Sequence, residues 1–379
     1  MSTKTWPVNK AEILSEIQSL FASDTWWIYT GEKVKELQRR FAEFHESRFG
    51  IATCNGTVPL EIALKALGIG AGDRVILPAY DFYSLPRSVV SVSAVPVFVD
   101  VDPANLSMDC TLVESALQQG VQAVVAVHLC GAVAKMDELQ RMCRAQSVTL
   151  IEDCAQSTGA VYKGRHVGSW GDVGLFSFGG VKLMTSGQGG MIVTSNEEIA
   201  DKCHALVGRG FGLDGTLNKH GIIGGNYQIS ELAATVLIPQ LRVLAELCRE
   251  RETMMVQLDE CIAKIPGLSP LKLHEGTEIR SQFRYSFFVD GATQENGLRD
   301  RLLSLAAGRG VPLKPGYQAV GMDGRLFDTF TGDARCPVAE AMQPKVVSIF
   351  HMDILQKGVE YWVEFLEGAS RECIRGGRP

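Results

Sequence analysis

The chain has 379 residues, of which 46% are hydrophobic and 21% charged, and its formal net charge is -6. This length allows a large core and predicts two domains. The acidic balance excludes an electrostatic basis for binding nucleic acid or an anionic membrane, and no apolar run is long enough to span a bilayer.

The ten cysteines are scattered along the chain and form no CxxC pair. In a chain of this length, such a distribution is typical of reduced thiols rather than of a disulfide framework or a zinc site. The first residues lack the basic start and apolar stretch of a signal peptide. We therefore expect a cytoplasmic protein without a bound metal.

Segments of helical length alternate with short β-rich runs through the first two-thirds of the chain. Residues 33–44 place Val34, Leu37 and Phe41 on one helical face, and residues 58–67 predict a second helix. Runs that predict strands lie at 74–80, 95–101, 123–129, 149–154, 173–178 and 190–195. Several of them are apolar throughout, which is typical of a parallel sheet covered by helices on both faces.

The pattern changes near residue 232. Residues 231–265 predict one long helix that leads out of the first domain. Beyond it lie a β run at 284–291, a helix at 295–310 and a final helix at 358–370. We expect a large domain over residues 1–245 and a smaller α+β domain over residues 246–379.

Polar residues follow the predicted strands, where open α/β sheets bind ligands. Glu152 and Asp153 end an apolar run, and a carboxylate there must be paired, hydrated or functional. One interpretation is a cap for a following helix. The other is that Asp153 pairs with a protonated ring nitrogen of a cofactor, as a pyridinium electron sink requires.

Lys182 lies in a loop rich in Gly, Ser and Thr between two apolar runs. A desolvated lysine has a lowered pKa and forms imines readily, although most loop lysines are simply solvated. Ser177 and Thr185 in the same region are expected either to bind phosphate oxygens or to cap local turns.

A second candidate anion site precedes the helix at 58–67. The backbone amides of Gly56, Thr57 and Val58, with the Thr57 hydroxyl, would form a phosphate cradle, unless the segment is an ordinary helix cap. Phe82 follows the strand run at 74–80 and is expected either to pack in the core or to stack on a planar cofactor. Together these parts would suffice to hold pyridoxal phosphate (PLP).

The same segments resemble a known family. The stretches CNGTVPLEIALKALG (54–68), VPVFVDVDPANLSMD (95–109), IEDCAQSTGA (151–160), FSFGGVKLMTSGQGGMIVT (176–194) and GGNYQISELAATV (224–236) are similar to those of the DegT/DnrJ/EryC1/StrS aminotransferases. The resemblance implies a fold-type-I PLP aminotransferase. Its large α/β domain would hold a mainly parallel seven-stranded sheet between helices, and a smaller α+β domain would follow.

The resemblance also implies a role for each matching residue. Lys182 would form an imine with PLP and carry the proton of the reaction, and Asp153 would hold the ring nitrogen. The remaining cofactor contacts would be Gly56, Thr57, Val58, Phe82, Gln156 and Ser177, with Asn226 reaching the phosphate of the neighbouring subunit. That last role implies a homodimer with shared active sites.

Within the family, the chain is most similar to the aminotransferases of 2-deoxy-scyllo-inosose and scyllo-inosose and to the 3-amino-5-hydroxybenzoate synthases. This branch implies transfer of an amino group from L-glutamine or L-glutamate to a cyclic ketone in natural-product or aminosugar biosynthesis. Tyr29 and His351 are candidate substrate contacts, with packing or helix capping as the alternative for His351.

Other functions stay open at this point. The chain could be a nucleotide-sugar aminotransferase, or a dehydratase and aromatase of the aminohydroxybenzoate synthase type that uses the same lysine. PLP-dependent sugar dehydratases of this fold carry His at the lysine position, so Lys182 argues against that activity. A homologue without catalysis is disfavoured by the presence of Lys182, Asp153 and Gln156 together.

Overall fold

The computed structural model describes residues 6–290, 297–319 and 335–376. Its strands are β1 (Phe49–Thr53), β2 (Arg74–Pro78), β3 (Tyr80–Asp81), β4 (Val95–Val99), β5 (Ala123–Val127), β6 (Thr149–Asp153), β7 (Val161–Tyr162), β8 (Arg165–His166), β9 (Val173–Ser177), β10 (Gly190–Thr194), β11 (Leu268–Pro270), β12 (Thr277–Ile279), β13 (Arg284–Val289), β14 (Lys314–Pro315), β15 (Gln318–Ala319) and β16 (Val346–Phe350).

Its α-helices are α1 (Lys10–Ala22), α2 (Glu32–Phe44), α3 (Val58–Ala66), α4 (Ser84–Ser91), α5 (Cys110–Leu117), α6 (Met136–Ala145), α7 (Glu197–Val207), α8 (Glu231–Arg242), α9 (Leu244–Ile262), α10 (Leu298–Gly308), α11 (Pro337–Met342), α12 (His351–Lys357) and α13 (Val359–Gly376). A short 3₁₀ helix covers Gln343–Lys345. Within the described residues, no helix combines the length and apolar character that crossing a membrane requires.

The central sheet has seven strands in the order β1-β10-β9-β6-β5-β2-β4. Strands β9, β6, β5, β2 and β4 pair in parallel, whereas β10 runs antiparallel to both of its neighbours. Neighbouring residues of β6 enter different cores, because Leu150 packs into one hydrophobic cluster and Ile151 into another on the opposite face. The predicted mainly parallel sheet, buried on both faces, is confirmed.

A second sheet lies in the C-terminal part of the chain. It is antiparallel, with strand order β11-β13-β16-β14, and it packs with α9, α10 and α13 around a third hydrophobic cluster. Phe287 and Trp362 are among its fully buried side chains. This is the arrangement expected of a smaller α+β unit.

Strand β1 and the helix predicted over 231–265 show where the structure departs from the predictions. Strand β1 was not predicted, since its sequence FGIAT is short and contains glycine and alanine, which strands disfavour. The long helix predicted over 231–265 is two helices that meet at Val243. The reason is tertiary packing: α8 packs on α1 and α2, whereas α9 packs on β11 and α13, so one straight helix could not serve both.

The topology places polar residues at one end of the central sheet. Asp153 ends β6, Ser177 ends β9, and Asp81 lies just beyond β2. Because β2, β6 and β9 are parallel, these ends lie along one edge of the sheet. The backbone N–H of His351 donates to the carbonyl of Phe283 (2.9 Å), which keeps the ends of β13 and β16 together.

Candidate active site

Lys182 is half-buried in the loop between β9 and β10, and its environment favours a neutral amine. Its Nζ lies 4.3 Å from the centre of the Phe283 ring. Burial lowers the pKa of Lys182 to about 8, while the negative charges of Asp153 and Asp81 oppose this shift and the positive charge of Arg284 adds to it. A lysine with this pKa is a competent nucleophile near neutral pH.

The backbone around Lys182 is held on both sides. The carbonyl of Lys182 accepts a hydrogen bond from Trp6 Nε1 (3.1 Å), and the carbonyl of Val181 accepts one from His351 Nε2 (3.0 Å). Within the loop, the Gly180 amide donates to the Gly187 carbonyl (3.0 Å). These contacts from distant segments fix the position from which the lysine side chain leaves the backbone.

Asp153 is the carboxylate that faces this lysine. Its Oδ1 accepts a hydrogen bond from the Ala155 amide (2.9 Å). Burial raises the pKa of Asp153, while the Ala155 amide and the positive charge of Lys182 oppose the shift. The alternative of a helix cap is wrong, since no helix follows β6 among residues 154–172. No direct ion pair joins Asp153 to Lys182 in the described chain.

Asp81 is a second carboxylate at this edge that the sequence analysis missed. It is 8% exposed, and burial, together with the negative charge of Asp153, raises its pKa well above the usual range. The same signal that drew attention to Asp153 was present, because Asp81 also follows an apolar strand run. Two carboxylates and one amine are thus electrostatically linked at one end of the sheet.

Aromatic residues form one wall of the site. Phe82 is 42% exposed despite its apolar ring, which lies 6.2 Å from the ring of Tyr317. The Tyr317 hydroxyl donates to Gln156 Oε1 (3.1 Å), and the Tyr317 amide donates to the Tyr80 hydroxyl (2.8 Å). The prediction that Phe82 lies at the site rather than in the core agrees with this exposure. Tyr317 was not predicted.

The expected phosphate cradle is partly occupied by the chain itself. The amides of Thr57 and Val58 both donate to Asn55 Oδ1 (2.9 and 3.0 Å), so this segment caps α3 as in the alternative interpretation. Gly56 packs closely on Ser177, because a Cβ at position 56 would lie 2.2 Å from the Ser177 Oγ. The Gly56 backbone and the Ser177 hydroxyl therefore remain together at the site.

Two predicted residues lie apart from the Lys182 group in this chain. Asn226 is exposed, and its backbone pairs with Gly208. Tyr29 is 61% exposed, and its ring lies 4.3 Å from the guanidinium carbon of Arg209. Neither residue has a hydrogen bond, ion pair or ring contact with Lys182 or Asp153 in the described structure.

The prediction that His351 contacts substrate requires correction. The side chain is fully buried, its Nε2 contacts the Val181 carbonyl, and its ring packs edge-on against Trp6 at 5.7 Å. Burial lowers the pKa of His351 to about 3, so the imidazole is neutral. The histidine therefore supports the backbone beside Lys182 from inside the fold, which is the packing role that the sequence left open.

These residues fit the pyridoxal phosphate cofactor. The lysine has a lowered pKa, the half-buried carboxylate of Asp153 interacts with it without a direct ion pair, and the exposed Phe82 ring offers a flat surface for a planar group. The close approach of Gly56 to Ser177 adds a backbone and a hydroxyl for an anion. Fold and site define the class of PLP-dependent aminotransferases.

Comparison with known proteins identifies the family. The family model described as "DegT/DnrJ/EryC1/StrS aminotransferase family" matches residues 7–363. The chain is 34% identical over 330 residues to an L-glutamine:2-deoxy-scyllo-inosose aminotransferase from Streptomyces fradiae, covering 83% of this chain and 78% of the relative. The chain belongs to this family, and its cofactor is PLP.

Two further relatives are 3-amino-5-hydroxybenzoate synthases. A 3-amino-5-hydroxybenzoate synthase from Amycolatopsis mediterranei (strain S699) is 32% identical over 343 residues, covering 87% of each chain. The crystal structure of a 3-amino-5-hydroxybenzoic acid (AHBA) synthase superposes with a TM-score of 0.90 and 27% identity, covering 98% of both chains. The fold predicted from the sequence is therefore confirmed.

Proposed function

We propose that this protein transfers the amino group of L-glutamine or L-glutamate to a cyclic ketone, either a cyclitol or a keto-sugar, in natural-product or aminosugar biosynthesis. The observation that carries the proposal is the half-buried Lys182, whose pKa is lowered to about 8 beside the carboxylates of Asp153 and Asp81. The printed activities of the related 2-deoxy-scyllo-inosose aminotransferases support the donor and the acceptor class.

When bound, PLP supplies an aldehyde that accepts amines and a ring that delocalises negative charge. Lys182 would hold the cofactor covalently and, once released, carry a proton between the substrate carbon and the cofactor. Asp153 would remain negatively charged opposite the ring nitrogen. Phe82 would stack on the ring, and Gln156, held by Tyr317, would lie beside its phenolic oxygen.

The phosphate would be bound by residues at the start of α3 and the end of β9. Gly56 and Ser177 are already in close contact, and the Thr57 hydroxyl lies beside them in the sequence. For the amides of Thr57 and Val58 to take part, the phosphate would have to share them with Asn55. Asn226 would come from a second copy of the chain.

We further propose a homodimer in the cytoplasm, with each chain divided into domains 1–245 and 246–379. Trp27 and Tyr29 are 64% and 61% exposed, and they lie in the same part of the fold as the exposed Asn226. Large exposed aromatic side chains are typical of surfaces that a partner covers. Sedimentation at several protein concentrations would test the dimer, which a monomer at all concentrations would contradict.

A second candidate activity is dehydration and aromatisation of an aminoshikimate-type substrate. The observation that favours it is the superposition on the AHBA synthase over nearly the whole chain. Such an enzyme would use the same lysine, so the pocket residues described above do not separate the two activities. The two activities differ in their products, an aminocyclitol or an aromatic compound.

The test is a pair of half-reactions on the purified, PLP-loaded protein. L-glutamine, L-glutamate and other amino acids are each added alone, and cofactor absorbance reports amino transfer. Scyllo-inosose, 2-deoxy-scyllo-inosose, nucleotide keto-sugars and an aminoshikimate-type substrate are then offered, and products are identified by mass spectrometry. We expect an inosose to restore the PLP spectrum of the protein and to be converted to an aminocyclitol. An aromatic product would establish the second candidate. If none of the amino acids converted the cofactor, the proposed amino transfer would be contradicted, and if no aromatic product formed either, both activities would be.

A further inference from the structure

Arg284 is a residue of the second sheet that faces the Lys182 site and that no sequence motif indicated. It is the first residue of β13 and follows Phe283, whose ring lies 4.3 Å from Lys182 Nζ. The charge of Arg284 also contributes, after burial, to the lowered pKa of Lys182. The guanidinium also contacts the Tyr317 ring, whose hydroxyl donates to Gln156, so Arg284 lies on the aromatic wall of the site.

The guanidinium group of Arg284 is held in place by rings and by a backbone carbonyl. Its central carbon lies 4.6 Å from the Tyr317 ring centre and 5.4 Å from that of Phe350. Its Nη2 donates to the Pro315 carbonyl at 2.5 Å. Arginine can stack on aromatic rings and still present a donor edge to a planar anion, so these contacts orient the group without exhausting its donors.

Arg284 has no acidic partner among the described residues. Within residues 6–290, 297–319 and 335–376, its buried Nε has no hydrogen-bond partner and no carboxylate forms an ion pair with it. Arg280, four residues earlier, shows the contrasting arrangement: it pairs with Glu252 (2.9 Å) and with Asp259 (2.6 Å). A partly buried cation without an anion is costly, and a bound anion removes that cost.

We propose that Arg284 binds the α-carboxylate of the amino donor and so selects donors of the α-amino acid class. This inference rests on the proposed function. In an α-amino acid, the nitrogen and the carboxylate are attached to the same carbon. A donor whose nitrogen takes the place of the Lys182 amine therefore holds its carboxylate only a few bonds from that position, toward the wall formed by Tyr317 and Arg284. Arginine binds carboxylates through two parallel hydrogen bonds.

The first test measures binding without any reaction. Glutaramate, which has the carboxylate and amide of glutamine but no amino group, is titrated into the PLP-loaded protein by calorimetry. We expect Arg284→Met to raise the Kd about 100-fold, since one partner of a charged pair is lost. Arg284→Lys, which keeps the charge but not the planar donor edge, should raise it about 10-fold. Arg309→Met, at an exposed arginine of a distant helix end, is the matched control and should leave Kd unchanged.

The second test separates donor binding from the rest of the chemistry. In Arg284→Met, the L-glutamine concentration for half-maximal conversion should rise about 100-fold. The reverse half-reaction, started from the aminocyclitol product that has no carboxylate, should change little in rate and concentration dependence. This second half-reaction also shows that the variant is folded and loaded with cofactor. If Arg284→Met is insoluble, the same two measurements on Arg284→Lys test the role of Arg284.

Each outcome bears on the inference. Unchanged glutaramate and glutamine binding in the variants would overturn the role of Arg284 and leave the proposed function intact. Equal losses in both half-reactions would also overturn it, because Arg284 would then be a structural residue. If the unmodified enzyme reacted with no amino acid, the proposed function and this inference would fall together.

Discussion

Strand β6 ends in two adjacent carboxylates that point in opposite directions and have opposite surroundings. Glu152 is fully buried, and it accepts hydrogen bonds from the amides of Gly168 (2.8 Å), Trp170 (2.7 Å) and Gly171 (2.7 Å). Asp153 accepts one, from Ala155, and lies within electrostatic reach of Lys182 without an ion pair. Two identical functional groups therefore belong to two different regions.

The Glu152 region also includes His128. The His128 Nδ1 accepts from the Ala134 amide (3.2 Å), so its Nε2 carries the proton and contacts Glu152 Oε2 at 3.2 Å. Cys154 lies close to both residues, a set that has metal-ligand chemistry. Because the nitrogens of His128 and the oxygens of Glu152 already have partners, we interpret this region as structural. A buried polar group with all its partners stabilises the fold, whereas one that lacks them is available for chemistry.

The largest effect is expected from removal of the amine. Lys182→Ala should lower turnover by at least about 10³-fold, because the residue is proposed both to hold the cofactor and to carry the proton. The rate of amino transfer from L-glutamine measures this effect. Lys65→Ala, at an exposed lysine of α3, is the control and should keep full activity. Near-normal turnover of the Lys182 variant would remove the basis of the assignment.

Asp153→Asn should lower kcat by roughly 10²-fold or more, since the carboxylate proposed to stabilise a positive ring nitrogen is lost. The negative charge of Asp153 raises the pKa of Lys182, so the pH profile should also move to lower pH. Steady-state rates measured across pH test both effects. A variant with unchanged kcat would show that the two carboxylates of β6 do not differ in function.

The opposite result is expected on the other face of β6. Glu152→Gln places a donor among amides that need an acceptor, and should lower the free energy of unfolding by about 2–4 kcal/mol. Urea denaturation measures this loss, with exposed Glu364→Gln as a control that should change stability by less than about 0.5 kcal/mol. The folded variant should keep its kcat. A large loss of activity at unchanged stability would place Glu152 in the catalytic region after all.

A smaller effect concerns pH. The neutral form of Lys182 attacks the cofactor aldehyde, so the rate at which apoprotein captures PLP should rise with pH and reach half its maximum near pH 8. Asp81 raises the pKa of Lys182, so Asp81→Asn should move this midpoint to lower pH. Stopped-flow absorbance measures the capture rate. A midpoint near pH 10 would mean that Lys182 is not desolvated.

The central sheet was predicted well from the sequence, because the signal for each of its buried strands lies within the strand itself. Strands such as β5 (Ala123–Val127) and β9 (Val173–Ser177) are buried along their whole length, so continuous apolar runs reveal them. Because the ends of parallel strands share an edge, the gathering of Asp153, Ser177 and Lys182 was also predictable. The break at Val243 was not, since it depends on what α8 and α9 pack against.

The sequence alone did not predict which residues of the second sheet and its flanking segments lie at the site. Arg284 and Tyr317 reach the site through β13 and the chain after β14, and nothing in their local sequence indicates this. His351 is a polar residue whose burial against Trp6 depends on residues more than 300 positions apart. Asp81 is different, because it follows an apolar run and the rule that found Asp153 would have found it.

The central claim is that Lys182 is joined covalently to the cofactor in the resting enzyme. Borohydride reduction of the PLP-loaded protein, followed by proteolysis and mass spectrometry, tests it directly. We predict one modified peptide, containing residues 176–194, with the added mass on Lys182. Modification of a different lysine, or an unmodified Lys182 in fully loaded protein, would contradict the account.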